Sequence, residues 1–223
     1  MVSIIIPVVN EENHLKKLLP LLVNSEAKEV IVVDGGSNDN SKLIAKELGA
    51  KVIDSPKSRA KQMNAGAKAA VENILYFVHA DSIPPSSFHE DIKTHQDKNI
   101  PFGCFRSLFD TKNWFLRINS YFSRYKGMMF RGGGQTLWIT KEFFQELNGY
   151  DESLKLMEEY DFIKRASQKA DYKVIQKDVL VSTRTYDENG NFKTQFIYGL
   201  IMFGFFRGID QDKLIKFGKR WLK

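Results

Sequence analysis

Two aspartates follow apolar segments that are typical of buried parallel strands. Asp34 ends the segment 29–34 and precedes Gly35 and Gly36, and Asp81 follows the segment 74–78. The carboxyl ends of parallel strands form one edge of a sheet, and ligands bind there. We therefore expect Asp34 and Asp81 to lie at this edge, where Asp34 could accept hydrogen bonds from a ligand. The alternative is that Asp34 only caps the turn.

Asp81 is also a candidate metal ligand. Mg²⁺ and Mn²⁺ prefer oxygen ligands and often share their coordination with substrate phosphates. One carboxylate and a diphosphate could form such a site, and His79, two residues earlier, could point to the same side. The structural alternatives are that Asp81 caps a helix after Pro84 and Pro85, and that His79 is a hydrogen-bonded histidine at a strand end.

Three carboxylates, those of Glu158, Glu159 and Asp161, open a predicted helix. One of them could act as a general base if it lay near an acceptor hydroxyl. Acidic residues are also common in the first turn of a helix, where the helix dipole favours negative charge. The sequence alone leaves both interpretations open.

Three basic residues are candidates for phosphate contact. Arg59 and Lys61 open an alanine-rich segment that is predicted to be a helix, and the N-terminus of a helix favours anions. Arg184 is predicted to end a late strand. The alternative for all three is an ordinary solvated surface position.

The apolar periodicity predicts an α/β fold. Strands are predicted at 2–9, 29–34, 51–53, 74–78, 102–109, 136–139, 173–176 and 179–183. Helices are predicted at 11–23, 41–48, 59–71, 141–147, 158–168, 193–206 and 211–222, with a helix or lid-like loop at 114–130 and a turn at 132–134. Pro20 predicts a kink or an early end of the first helix. The alternation of strands and helices predicts one domain over residues 1–223, with a mostly parallel central sheet flanked by helices.

Composition and charge restrict the partners. The chain has 223 residues, 43% of them hydrophobic, which is enough for one sizeable core. Its formal net charge of +6 favours an anionic partner such as a nucleotide diphosphate, an anionic membrane or a nucleic acid. The basic residues are spread out and match no nucleic-acid-binding module, so we expect no nucleic acid. The chain also lacks the GxGxxG and GxxxxGK[ST] motifs, which disfavours dinucleotide oxidoreductases and P-loop NTPases.

Cellular location is predicted from three features. Cys104 is the single cysteine, so no intrachain disulfide can form, and we expect it to be a small core residue. The first apolar run, 4–6, is too short for a signal peptide, and the longest one, 196–206, is too short to span a bilayer. We predict a cytoplasmic protein that is either soluble or bound at the inner face of the membrane.

The C-terminal helix is predicted to be amphipathic. Its basic face comprises Lys213, Lys216, Arg220 and Lys223, and apolar residues occupy another face. Such a helix could lie on an anionic membrane, following the apolar run 196–206. The alternative is that its apolar stripe packs on the domain.

A set of ordered motifs resembles family 2 glycosyltransferases of the GT-A fold. The motifs are IIIPVVNE at 4–11, VVDGGSND at 32–39, RAKQMNAG at 59–66, HADS at 79–82, GGQ at 133–135, NGYDE at 148–152 and MEEYD at 157–161. Each motif is short, but their order and spacing agree with the family over almost the whole chain. The RAKQMN and HADS segments look most like the bacterial rSAM/selenodomain-associated transferases.

The resemblance implies a role for each candidate residue. Pro7, Val9 and Glu11 would line the pocket for the base and ribose, Asp34 would bind the nucleobase, and Arg59 would contact the donor nucleotide or its diphosphate. Asp81 would hold Mn²⁺ or Mg²⁺, and His79 stands where the family has the first acid of Asp-x-Asp. Glu159 stands at the position of the catalytic Asp, with Glu158 as the alternative, and Gln135 would lie near the acceptor.

The implied reaction transfers a sugar from a nucleotide-diphosphate sugar to an acceptor hydroxyl, assisted by a metal and with inversion at the anomeric carbon. Residues 1–100 would bind the nucleotide sugar and residues 101–190 the acceptor, which could be a sugar, a lipid or a small molecule. Residues 191–223 would form the C-terminal helical segment. The alternatives are a nucleotidyltransferase that makes nucleotide sugars and an inactive transferase-like protein that only binds them.

Overall fold

The computed structural model describes residues 1–25, 27, 29–127, 130 and 135–222. The turn predicted at 132–134, the first two glycines of the GGQ motif and Lys223 lie outside the described residues.

The described residues form strands and helices that alternate along the first half of the chain. The strands are β1 (Val2–Val8), β2 (Glu29–Asp34), β3 (Lys51–Asp54), β4 (Ile74–Phe77), β5 (Ser82–Ile83), β6 (Phe102–Phe109), β7 (Leu137–Thr140) and β8 (Lys173–Val181). The helices are α1 (Glu12–Val23), α2 (Ser41–Glu47), α3 (Arg59–Ala69), α4 (Phe88–Gln96), α5 (Trp114–Phe122), α6 (Lys141–Glu146), α7 (Glu158–Lys169), α8 (Arg184–Asn189), α9 (Asn191–Phe206) and α10 (Gln211–Trp221).

These strands form one sheet in the order β3-β2-β1-β4-β7-β6-β8-β5. The first four strands of that order are all parallel, and β7 joins them antiparallel to β4. On the far side β6 and β8 are parallel to each other, while β7 and β5 run antiparallel to their neighbours. The predicted α/β fold with a mostly parallel sheet is therefore confirmed.

Two apolar layers cover the sheet because successive side chains of a strand point to opposite faces. Ile4, Ile6 and Val8 of β1 pack with α1, α2 and α4 on one face. Ile5 of the same strand packs with α3, α6 and α7 on the other face. Cys104 is buried in β6, as predicted for a small core residue.

The first helix does not end at Pro20, contrary to the expected early end. It continues to Val23, and its four buried leucines lie on one face. Pro20 cannot donate to the carbonyl of Lys16. Because Lys16 lies on the exposed side of α1, water can satisfy that carbonyl, and the buried leucines hold the last turn on the sheet.

The two late strands predicted at 173–176 and 179–183 are one strand, β8. Its register against β6 shifts between Phe105, which is opposite Ile175, and Arg106, which is opposite Asp178. Gln176 and Lys177 therefore bulge out of the ladder. These two polar residues interrupt the apolar pattern, which is why the sequence predicted two strands.

Two short elements, β5 and α8, were not predicted, whereas α4 is the helix expected after Pro84 and Pro85, with Ser87 and not Asp81 at its N-cap. Helix α8 changes the position of a candidate residue. Arg184 begins α8 and does not end a strand. Residues 182–183 separate it from β8, so its side chain starts at the edge of the sheet.

We expect Gly66→Ala to destabilise the protein. A Cβ at position 66 of α3 would overlap Cγ2 of Ile5 and lie 3.0 Å from Cγ2 of Val33, so the helix and the sheet would have to separate. Overpacking of this kind costs about 1–3 kcal/mol, more than the gain of about 1 kcal/mol in helix propensity. Urea denaturation should show the loss.

Gly199→Ala is the matched control for this substitution. Gly199 lies inside α9, and a Cβ there meets no atom within 4 Å. Its free energy of unfolding should stay the same or rise by up to about 1 kcal/mol. Equal destabilisation by both variants would contradict the proposed contact between α3 and β1.

Candidate functional site

Asp34 ends β2 in a buried turn and keeps one carboxylate oxygen free of protein donors. Its Oδ2 accepts hydrogen bonds from the backbone N–H groups of Gly36 at 2.9 Å and Ser37 at 3.0 Å. Its Oδ1 is buried and has no hydrogen-bond partner among the described residues. Asp34 therefore caps the turn, as the structural alternative predicted, and still presents an acceptor to a ligand.

The carboxyl ends of β1 and β2 are held together by a buried amide that the sequence analysis did not single out. Nε2 of Gln62, in α3, donates to the carbonyls of Val8 at 2.9 Å and Val33 at 2.8 Å. A Cβ at Gly35 would collide with Gln62 and with Val9. Gly35 therefore lets the β2 turn close over this amide, and the turn places Asp34 beside the end of β1.

Glu158 and Glu159, at the start of α7, face Arg59 and His79 at the same edge of the sheet. Nε2 of His79, just beyond β4, lies 2.8 Å from Oε1 of Glu159. Nη1 of Arg59, at the start of α3, lies 3.5 Å from Oε1 of Glu158. Glu158, Glu159 and His79 are largely buried, whereas the Arg59 side chain is half exposed. The charge of Asp81 also raises the pKa of Arg59.

The two adjacent glutamates have pKa values shifted in opposite directions. Burial raises the pKa of Glu158 above its ordinary value, although Arg59 opposes the shift. Burial would also raise the pKa of Glu159, but the charges of His79 and Arg59 and the hydrogen bond from His79 lower it below its ordinary value. Desolvation of the Arg59 guanidinium would lower its pKa, but the carboxylates of Glu159, Glu158 and Asp81 raise that pKa above its ordinary value. Glu159 is therefore the carboxylate held ionised.

Arg184 closes the site from the α8 side through an ion pair with Glu11. Nη2 of Arg184 lies 3.3 Å from Oε1 of Glu11, whose Oε2 lies 2.7 Å from Nδ1 of His14. The hydrogen bond to Glu11 raises the pKa of Arg184, and the charge of Asp81 adds to this shift. Glu11, predicted to line the pocket for the base and ribose, and Arg184, predicted to contact phosphate, are therefore in contact.

Gln135 lies beside Glu159 in a narrow cavity. The cavity is lined by Cys104, Gln135, Thr136, Leu137, Glu159, Tyr160 and Ile163. Both polar atoms of the Gln135 side chain are buried without a hydrogen-bond partner in the described part of the chain. An unpaired buried amide is costly, so a group that reached this cavity from the site would find a ready donor and acceptor.

Pro7, Val9 and Lys61 are the remaining candidate residues, and they lie in β1, just after β1 and in α3. Ile5 is the last residue of β1 that pairs with β4, and Pro7 lies two residues beyond it in the same strand. The missing N–H of Pro7 is therefore not needed on that side. Val9 follows β1 and packs near Gly35. Lys61 is half-buried in the first turn of α3, and its backbone N–H is capped by Ser58.

The loop before α7 is fixed by two polar side chains that the sequence analysis did not assign. The amide of Asn64, in α3, accepts from the backbone N–H of Tyr150 and donates to its carbonyl, both at 2.9 Å. Arg165, in α7, donates to the carbonyls of Leu147 and Gly149 at 2.7 and 2.8 Å. Asn64 lies within the RAKQMNAG motif, and that motif was the available signal.

Met157 connects this loop to the glutamates, and its backbone conformation is uncommon for a residue other than glycine. Its φ of 63° lies in the left-handed region, which costs a non-glycine residue about 1–2 kcal/mol. Strained residues of this kind cluster at functional sites. Here the strain turns the chain directly into Glu158 and Glu159, so that both carboxylates point to the edge of the sheet.

The site fits a divalent metal only through Asp81 and oxygens supplied by a ligand. Among residues 1–25, 27, 29–127, 130 and 135–222, no group of three or more His, Cys, Asp or Glu side chains is arranged to hold a metal. Asp81 is half-buried, and within the described residues its Oδ1 makes a long contact of 3.4 Å with Ser82 Oγ. Nε2 of His79 faces Glu159. Mg²⁺ and Mn²⁺ tolerate one carboxylate with phosphates and water.

Comparison with known proteins identifies the family. The sequence profile described as "Glycosyl transferase family 2" matches residues 3–153. This chain belongs to that family. It is 26% identical to an uncharacterized glycosyltransferase of Rickettsia typhi, over 96% of this chain and 74% of that protein. Assignment to the rSAM-associated subgroup stays a prediction.

Solved structures of glycosyltransferases share the fold. A mannosyltransferase from Pyrobaculum calidifontis in complex with GDP-Man and Mn²⁺ has a TM-score of 0.68 at 14% identity, covering 90% of this chain and 61% of that one. TarS of S. aureus in complex with UDP-GlcNAc has a TM-score of 0.65 at 19% identity, covering 81% and 58%. The chain thus spans about three fifths of the length of these two structures. The GT-A-like fold expected from the motifs is confirmed.

Glu158→Gln tests the burial of that carboxylate. Because the folded pKa of Glu158 is raised, the stability it contributes is complete below the unfolded pKa of about 4.5 and is lost as the pH rises through the folded pKa. Glutamine mimics the protonated form. The variant should match wild type near pH ~4 and become increasingly more stable than wild type toward pH ~7 in urea titrations. The opposite trend would mean that pairing with Arg59 outweighs the burial.

Proposed function

We propose that this chain transfers a sugar from a nucleotide-diphosphate sugar to an acceptor hydroxyl, with inversion at the anomeric carbon. The observation that carries the proposal is the cluster of Arg59, His79, Glu158 and Glu159 beside Asp81 at one edge of the sheet. The cluster combines a carboxylate held ionised with cationic groups for a departing diphosphate. Membership of glycosyl transferase family 2 supports the same reaction.

The donor nucleotide binds at the ends of β1 and β2 in this proposal. Oδ1 of Asp34, buried and without a protein partner, accepts an N–H of the nucleobase. Pro7, Val9 and Glu11 line the pocket for the base and ribose. Two solved relatives in fold are complexes with GDP-Man and UDP-GlcNAc, which supports a nucleotide-sugar donor but leaves the nucleobase open.

The diphosphate lies between Asp81 and the basic side chains. The charge of Asp81 raises the pKa of both Arg59 and Arg184, which supports these arginines as the partners of an anion held at Asp81. Lys61 is the third phosphate candidate, one turn into α3. Mn²⁺ or Mg²⁺, held by Asp81, would neutralise charge on the diphosphate. The Mn²⁺ in the mannosyltransferase complex supports a divalent metal here. His79 is better explained as the partner of Glu159 than as a ligand.

Glu159 is the general base in this proposal. Its Oε1 is occupied by His79, which leaves Oε2 to take the proton of the acceptor hydroxyl. The acceptor places this hydroxyl at Oε2 of Glu159, near Gln135, and the freed oxygen attacks the anomeric carbon opposite the leaving diphosphate. A single displacement of this kind inverts the anomeric configuration. Residues 1–100 thus bind the donor and residues 101–190 complete the acceptor side.

Glu159→Gln should separate catalysis from binding. Glutamine keeps an oxygen for the hydrogen bond from His79 but cannot take a proton at neutral pH. We expect kcat to fall about 10²–10⁴-fold with little change in donor KM, measured by nucleoside diphosphate release with a panel of sugar nucleotides and acceptors. Glu142→Gln, at an exposed position of α6, is the control. Near-normal turnover of Glu159→Gln would remove the base assignment, and release of pyrophosphate would favour a nucleotidyltransferase.

Asp34→Asn tests the nucleobase contact. Asparagine can still cap the turn with its oxygen, but it then presents an amide N–H₂ to the ligand in place of an acceptor. Nucleotide affinity should fall about tenfold or more, since a hydrogen bond to a charged group is worth about 1.5–3 kcal/mol. Thermal-shift titrations with UDP, GDP and dTDP sugars, with and without Mn²⁺, measure the change.

Asp54→Asn is the matched control for this binding experiment. Asp54 ends the neighbouring strand β3 and forms an exposed ion pair with Lys42. Its loss should leave nucleotide affinity unchanged, because exposed pairs contribute little. Equal binding by wild type and Asp34→Asn would place the nucleobase elsewhere.

A further inference from the structure

Helices α5 and α9 expose an unusual number of large apolar side chains. Trp114 is 65% exposed, Phe192 64%, Phe196 66% and Phe203 56%. The other exposed members are Ile118, Tyr121, Phe122, Tyr125, Tyr198, Leu200 and Phe206. We call these eleven residues the aromatic surface. Contiguous exposed apolar patches of this kind mark interaction sites.

The aromatic surface is continuous across the two helices. In α5 and the turn after it, residues 114, 118, 121, 122 and 125 recur at helical spacing, and so do residues 192, 196, 200 and 203 in α9. Each set therefore forms a stripe on one face of its helix. The helices touch through the rings of Phe115 and Phe192, 4.3 Å apart, and through Asn119 Nδ2, which donates to Gln195 Oε1 at 2.8 Å.

Basic side chains are interspersed with this surface, and acidic ones are missing from its segments. Segments 111–127 and 190–209 contain no Asp or Glu, and their basic residues are Lys112, Arg117, Arg124, Lys126, Lys193 and Arg207. Two arginines lie over aromatic rings of the surface itself: Arg124 over Tyr121 at 3.8 Å and Arg207 over Phe203 at 4.5 Å. The surface thus offers aromatic rings and positive charge together.

Helix α10 extends the positive charge. It packs on α9 through Leu214, whose side chain lies against Gly204, and its basic residues stay exposed. These are Lys213, Lys216, Lys219 and Arg220. Leu214 therefore packs on the domain, as one of the two predicted alternatives expects, whereas Trp221 is 46% exposed, and contact of the basic side with a membrane stays a prediction. The two aspartates of the helix are engaged, Asp210 in capping the helix and Asp212 in an ion pair with Lys155.

We propose that the aromatic surface and the basic side of α10 dock together on an anionic lipid bilayer. Aromatic rings insert at the headgroup boundary, while Lys and Arg pair with anionic lipids. In the part of the chain that the structure describes, no helix is long and apolar enough to cross a membrane, so α9 would lie in the interface. A second copy fits less well, because a self-complementary contact would oppose like charges.

Docking would place the bilayer beside the proposed acceptor side. Oε1 of Gln211, at the start of α10, accepts from the backbone N–H groups of Lys155 at 2.8 Å and Leu156 at 3.2 Å. These residues directly precede Met157 and the two glutamates. Vesicle binding itself does not depend on the proposed transferase reaction, so it can be tested without any sugar nucleotide.

Vesicle co-sedimentation tests the docking. Wild type should sediment with phosphatidylcholine vesicles that contain phosphatidylglycerol and bind pure phosphatidylcholine at least about tenfold more weakly, with added salt weakening the binding. Phe196→Ser combined with Phe203→Ser should lower the partition coefficient about tenfold or more, because two exposed rings no longer insert. Lys216→Glu combined with Lys219→Glu should remove the preference for the anionic vesicles.

Leu43→Ser is the matched control, since Leu43 is 55% exposed on α2, outside the aromatic surface. It should bind vesicles like wild type, and circular dichroism should show all variants folded. No binding of folded wild type to anionic vesicles would overturn the proposal. So would equal binding by the double-phenylalanine variant, or a wild-type dimer in size-exclusion chromatography that this variant converts to a monomer.

Discussion

The site depends on keeping two adjacent glutamates, Glu158 and Glu159, largely buried beside Arg59 and His79. A buried carboxylate is costly unless it is paired, and His79 and Arg59 supply the pairing from two different elements. This constraint links β4, α3 and α7, because moving any one of them would leave a charge uncompensated. It also gives the two glutamates different protonation behaviour. Glu159 is held ionised, whereas burial resists the ionisation of Glu158.

The sequence predicted the parts of the site that follow from strand topology. Asp34 and Asp81 end apolar segments, and parallel strands bring such ends to one edge of the sheet. The fold class followed from the same periodicity. Bounds of the first four strands were predicted to within one residue because each contains a short apolar run that polar or turn residues interrupt, whereas the bulge at 176–177 made β8 resemble two strands.

The pairings within the site could not be predicted from the sequence. His79 and Glu159 are 80 positions apart, and over that separation no periodicity or motif specifies that their side chains meet. The structure therefore changes how HAD at 79–81 is interpreted. By the resemblance, His79 would stand in place of a family acid and Glu159 in place of the catalytic Asp, and the structure shows that these two residues contact each other. The two departures from the family pattern are one interaction.

Asn64 has a mechanical consequence for the whole site. Asn64 belongs to α3, the helix that begins with Arg59. Its amide forms hydrogen bonds with both the N–H and the carbonyl of Tyr150, which lies at the start of the loop that leads to the glutamates. The cationic end of α3 and the acidic end of α7 are thus coupled through one side chain. Separating these two ends would break both hydrogen bonds of Asn64, whereas the opposite wall is closed by the exposed ion pair between Arg184 and Glu11.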